Sequence, residues 1–96
     1  MIRHIVFFKV KEENKQANID KLKIALRELK GKISEIKSID VGVNFNAKSN
    51  AFDIALITDF QNIEDLDKYR VHPEHQKVVE LIKEITEKSA VVDYEF

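Results

Sequence analysis

The chain has no cysteine, one proline, two glycines and nothing near the roughly 18 consecutive apolar residues that a membrane-spanning helix needs. Without cysteine there are no disulfides and no thiolate metal ligands, which fits a reducing compartment. The scarcity of proline and glycine leaves no linker and no low-complexity segment. An excess of one charge is missing too: sixteen basic residues face seventeen acidic ones, interleaved along the chain. There is thus no electrostatic footprint for a nucleic acid, and the charges read as solvated helix faces. The first apolar run carries Arg3, His4 and Lys9 and lacks a small-residue cleavage site, so no secretory signal is expected. These features predict a soluble cytoplasmic protein with neither nucleic acid nor membrane as partner. At 96 residues it is expected to form one domain over residues 1–96. A domain of that size buries only about 60–65% of its unfolded surface, so covering more apolar area stabilises it.

What is present is periodic. Ile2, His4, Val6, Phe8 and Val10 alternate with Arg3, Ile5, Phe7 and Lys9, which predicts a strand over 2–10 with both faces partly apolar. Ile19, Leu22, Leu26 and Leu29 recur at spacings of three and four and predict a helix over 15–30, with Gly31 as its stop and Ile33 and Ile36 continuing the rhythm. Alternation predicts a second strand from Ile39 to Phe45, a polar turn over 46–50, and a third strand from Phe52 to Phe60. A short helix from about Ile63 leads to Pro73, a longer one runs to about Lys88, and a last strand spans 90–96.

Strand, helix, strand, strand, helix, strand is the split βαβ order, so the expected class is α+β: a ferredoxin-like βαββαβ domain with a four-stranded antiparallel sheet. Two helical layers cover one face of such a sheet. The other face is then expected to expose Ile5, Phe7, Ala55, Ile57 and Val91, a larger apolar patch than monomers usually carry. A second copy of the chain, sheet against sheet about a two-fold axis, is the expected cover. The competing expectation is a monomer in which Arg3, Lys9, Asp53, Asp59, Asp93 and Glu95 dilute the patch.

Chemistry concentrates in Tyr69-Arg70-Val71-His72-Pro73-Glu74-His75. Proline is pre-set for a first helical position and keeps the residue before it out of helical angles, so His72 marks a break between two helices. On the second helix, His75 shares a side with Val78, Val79, Ile82 and Ile85, which points it toward the sheet. His4 looks the same way if the face of Val6 and Phe8 lies under the helices. His4, Tyr69 and His75 would then meet beside Val6, Phe8, Leu22, Leu26, His72, Val79 and Ile82 as the lining of a small apolar cavity. There His75 suits a general base, Tyr69 a hydrogen-bond donor to a developing oxyanion and His4 an orienting group, for proton abstraction next to a carbonyl. The plainer alternative is that the same side chains only pack and bond. His4, His72 and His75 are also possible zinc ligands, but the proline break divides them and no carboxylate is placed with them, so neither metal nor cofactor is expected.

Taken together, Ile2-Arg3-His4-Ile5-Val6-Phe7-Phe8-Lys9, Val41-Gly42-Val43-Asn44, Phe52-Asp53-Ile54-Ala55-Leu56 and Tyr69-x-x-His72-Pro73-x-His75 resemble the stress-responsive α/β-barrel (Dabb) family in the same order and at similar distances. The resemblance covers nearly the whole chain and implies a dimeric α/β barrel, two sheets facing each other with the helices outside. The family includes plant stress proteins and the plant olivetolic acid cyclase, which closes a polyketide chain by aldol condensation. Its working tyrosine and histidine fall where Tyr69 and His75 stand, and a pocket histidine falls at His4. Where that cyclase has an aromatic-rich first helix, this chain has Leu22, Ile24 and Leu26. The resemblance therefore implies a site for a small carbonyl-bearing or aromatic molecule and a cofactor-independent lyase, cyclase or isomerase step. Two other functions stay open: a non-enzymatic stress or assembly module, and a monooxygenase related by architecture alone.

Overall fold

Period-two alternation builds the centre of the sheet. In the computed structural model, which describes all 96 residues, β1 (Ile2–Val10) pairs antiparallel with β3 (Ile54–Phe60) on one side and β4 (Thr86–Glu95) on the other. β2 (Ser38–Val43) pairs antiparallel with β3, giving the order β2-β3-β1-β4. The helices are α1 (Lys15–Lys32), α2 (Ile63–Val71) and α3 (Pro73–Ile85). This is the expected ferredoxin-like arrangement, one four-stranded antiparallel sheet with the helices on one side.

Directly opposed residues of an antiparallel pair share a face. Ile2, His4, Phe8 and Val10 of β1, with Ile54, Leu56, Thr58 and Phe60 of β3, are buried beneath the helices. The stripe Ile19, Leu22, Leu26 and Leu29 seats α1 on them, and Val78 and Ile85 of α3 join the same core. Ile24 points to solvent.

Several boundaries differ from the sequence expectation. α1 runs through Gly31 to Lys32, and Gly31 keeps a negative φ, so it serves as an ordinary helical residue. Burial decides the end: Ile33 and Ile36 are 0% and 2% exposed, and the Ile33 N–H still donates to the Leu29 carbonyl at 2.9 Å. β2 stops at Val43, because the Asn44 amide donates to the carbonyls of Asn46 and Phe52 and its Oδ1 accepts the Asn46 N–H, starting the turn early. Phe45 is left wholly exposed. β3 begins at Ile54, with Phe52 turned to pack against Phe7.

α3 ends at Ile85 and β4 starts at once. The Thr86 hydroxyl caps the helix by donating to the Ile82 carbonyl at 2.6 Å, while Thr86 already pairs with Val10. The register also corrects one face: Val91 lies opposite Val6 on the helix side, and Ala90, Val92 and Tyr94 occupy the open side with Phe7, Ile5 and Arg3. A period of two reverses every side chain when the parity is misread.

Candidate functional site

The break between α2 and α3 forms as the proline predicts. His72 is extended at φ −64° and ψ 135°, its N–H donates to the Tyr69 carbonyl at 3.2 Å, and its Nδ1 accepts the Glu74 N–H at 3.1 Å. His72 thus caps both helices, and its ring nitrogen is engaged in the backbone rather than turned to the other two histidines. The break puts Tyr69 on the last turn of α2 and His75 on the first turn of α3 with their rings 4.2 Å apart. Phe60 packs on the other side of Tyr69 at 5.0 Å, and His4 meets it edge-on at 6.0 Å. His4, Tyr69 and His75 therefore converge as the sequence predicts.

Two further residues join them. Asp93 lies opposite His4 in the β1–β4 register, and its carboxylate bonds His4 Nδ1. Its other oxygen accepts from Arg70 Nη2 at 2.9 Å, tying α2 to the edge strand. Expected from the alternation of β4 as a charge on the open face, Asp93 instead lies under α2 by its register with His4.

Tyr69 and His75 each have a defined protonation. His75 Nδ1 lies 3.0 Å from the Arg70 carbonyl, which can only accept, so Nδ1 carries the hydrogen and Nε2 is the basic atom of a neutral ring. Burial pulls His75 below the ordinary imidazole range, against a smaller upward pull from that carbonyl bond. Tyr69 is 1% exposed, and burial alone raises its phenol well above the usual value, so it stays protonated. Its hydroxyl has no protein hydrogen-bond partner, yet it is not sealed from solvent.

The depressed His75 value predicts a pH dependence. Below about 6.5 the unfolded chain takes up the proton before the folded one, so the unfolded state binds more protons and stability falls as pH falls. Urea midpoints measured from pH 7 to pH 5 should decline, and His75→Gln should flatten that decline. An unchanged slope in the variant would show that His75 is not the group responsible.

The expected lining is packed. Leu22, Leu26 and Phe8 are 0%, 1% and 3% exposed within the core, while Val6, Val79 and Ile82 are half-buried. None of the molecule's four hollows is lined by His4, Tyr69 or His75. The nearest, of about 300 Å³, shares Arg70 and Asp93 with the cluster and has Ile2, Ile63 and Leu66 as its apolar wall.

Comparison with known proteins places this architecture. The chain is 31% identical over 101 residues to an uncharacterized protein of Streptomyces coelicolor, covering all of both chains. A crystal structure from Bacteroides fragilis, described as a dimeric protein of unknown function with a ferredoxin-like fold, is 38% identical; the match covers 99% of this chain and 95% of that one with a TM-score of 0.89. Hydroxynitrile lyase from Passiflora edulis shares the fold at 23% identity and a TM-score of 0.86, over 97% of this chain and 90% of its own. The family model for the stress responsive A/B barrel domain (Dabb) matches residues 2–96, and the chain belongs to that family.

Proposed function

We propose that the protein binds a small carbonyl-bearing or aromatic molecule at Tyr69 and His75, and that it removes a proton next to the carbonyl without a cofactor. The observation that carries this reading is the Tyr69 hydroxyl, a protonated donor that bonds no protein group and stays open to solvent at the edge of a buried ring, beside a neutral imidazole whose Nδ1 is already spent. A donor left free at the edge of an apolar core is available to the carbonyl oxygen of a ligand. In the proposed step the C–H bond breaks, its proton goes to His75 Nε2, and its electron pair flows into the carbonyl. The resulting enolate oxygen accepts from Tyr69, while His4, held by Asp93, orients the ligand. Val6, Val79 and Ile82, which are half-buried, take the apolar body, while Leu22, Leu26 and Phe8 are packed into the core behind them. That the same fold carries a lyase in Passiflora edulis supports this class of chemistry. We propose the working form to be a cytoplasmic homodimer of single-domain chains joined through their open sheet faces, in keeping with the dimeric Bacteroides fragilis relative.

A second reading, a non-enzymatic module in which the cluster only packs, is favoured by the filled space around Tyr69. A thermal-shift screen of carbonyl and aromatic metabolites separates the two. A ligand at a hundredfold excess over its Kd stabilises the native state by about 2.7 kcal/mol, a rise on the order of 10 °C for a domain of this size. That rise should vanish in His75→Ala and shrink in Tyr69→Phe. A hit that stabilises both variants as it does the parent protein binds elsewhere and defeats the reading.

A further inference from the structure

The open side of the sheet is laid out in three cross-strand rows. Gly42, Ala55, Phe7 and Ala90 form the first; Asp40, Ile57, Ile5 and Val92 the second; Ser38, Asp59, Arg3 and Tyr94 the third. In the first row, two small residues next to Phe7 leave a notch that Phe52, its ring 6.0 Å from that of Phe7, bounds on one side. The result is an apolar hollow of about 400 Å³ lined by Phe7, Gly42, Phe52 and Ala55, among others. A Cβ built on Gly42 would meet nothing within 4 Å, so the floor of the notch is open.

The third row carries charge that is already neutralised. Arg3 Nε and Nη2 donate to the two Asp59 oxygens at 2.8 and 3.0 Å, and Ser38 Oγ donates to Asp59 at 2.8 Å. The Arg3 guanidinium also lies 4.4 Å from the centre of the Phe96 ring. An ion pair with its hydrogen bonds made can be covered without leaving an orphaned charge, whereas the unpaired Asp40 on the β2 edge and Lys88, 5.4 Å from the centre of the Phe52 ring, must stay at the rim of the contact. Beside it, at the β4 end of the row and diagonally across the face from the notch, Tyr94 and Phe96 project at 42% and 54% exposure with their rings 6.4 Å apart.

A self-complementary contact brings each patch against its counterpart twice. When two sheets stack with their strands crossing, a two-fold axis running between them along one diagonal exchanges the corners at the ends of the other. The notch and the aromatic pair stand at such corners. We infer that in the homodimer the Tyr94 and Phe96 rings of each protomer seat in the partner's notch between Gly42, Ala55 and Phe7, while Ile5, Ile57 and Val92 pack across the centre. This inference rests on the dimer proposed above and adds its register. It also ties β4, which carries Asp93 to His4, to the partner, so that pairing would brace one wall of the candidate site.

The absence of native cysteine allows a direct test. In one chain Ala55 and Phe96 occupy opposite corners, beyond disulfide reach, so a bond between cysteines at these positions must join two chains. The double variant Ala55→Cys, Phe96→Cys, mildly oxidised at micromolar concentration, should run mostly as a covalent dimer on a non-reducing gel, with only traces in either single variant. Gly42→Cys with Phe96→Cys should behave alike and covers the case in which the first pair disturbs folding. Parent protein that scatters as a dimer while neither pair crosslinks would overturn the register and leave the dimer standing. Efficient crosslinking of Ala55→Cys alone would also overturn it, because that residue would then lie on the axis. A parent particle of 11.2 kDa would remove the dimer itself.

Discussion

Replacing Leu22 with alanine should lower the free energy of unfolding by about 3 kcal/mol, in the upper part of the range if the neighbouring side chains cannot close in. Leu22 is wholly inaccessible and sits at the middle of the α1 stripe, against the face of β1 and β3 that holds Phe8, Leu56 and Phe60. The three carbons removed, Cγ and the two methyls, lose both their transfer free energy and their dispersion contacts, because a packed interior relaxes only in part. The result bears on function as well as stability. Were Leu22 and Leu26 the wall of a space open to solvent, the side chain removed would have made fewer contacts, and the cost would drop to about 2 kcal/mol or less. Urea unfolding followed by circular dichroism measures this directly: the midpoint should fall with the slope unchanged. A loss below about 2 kcal/mol would mean that the region beneath α1 is open and that ligands reach further under the helix than the packed structure shows.

Elements whose local pattern and tertiary packing agree were legible in the sequence. β1 alternates without interruption, and α1 carries an unbroken stripe, so Ile2–Val10 and the start at Lys15 emerge as expected. Features decided by a competing interaction were not. Gly31 reads as a stop, yet the core's demand for Ile33 and Ile36 carries the helix past it. Thr86, Glu87 and Lys88 continue a helical pattern in composition, but pairing with β1 claims them as strand. The candidate site divides in the same way. His75 is found from its helical side and Tyr69 from its distance to the proline break, both local facts. Asp93 gains its meaning only from a partner 89 residues away. The available clue was topological: in this strand order the last strand runs antiparallel beside the first, which brings an acid near the end of β4 opposite a residue near the start of β1. Applying it requires the parity of β4, which the alternation of apolar residues on both of its faces leaves undetermined until Val91 is seen to pair with Val6.

Tyr69→Ala should be about as costly as any single change in the molecule, at about 3–5 kcal/mol, whereas Tyr69→Phe should alter stability by less than about 1 kcal/mol. The alanine variant removes a ring packed between Phe60 and His75 at centroid distances of 5.0 and 4.2 Å, in a residue that is 1% exposed. The phenylalanine variant keeps every one of those contacts and deletes only a hydroxyl that bonds no protein group, so no partner is orphaned. Its consequence should appear in chemistry instead. Because burial holds the phenol protonated throughout the physiological range, the hydroxyl is a standing donor, and losing a donor to a developing oxyanion typically slows a reaction by about 10²–10³-fold. With any substrate found by the screen, Tyr69→Phe should therefore combine near-parental unfolding with a collapse of turnover. The opposite pattern, a loss of more than about 2 kcal/mol with turnover preserved, would mean that the hydroxyl satisfies the fold through a contact made in solution, and proton abstraction at this cluster would lose its electrophile.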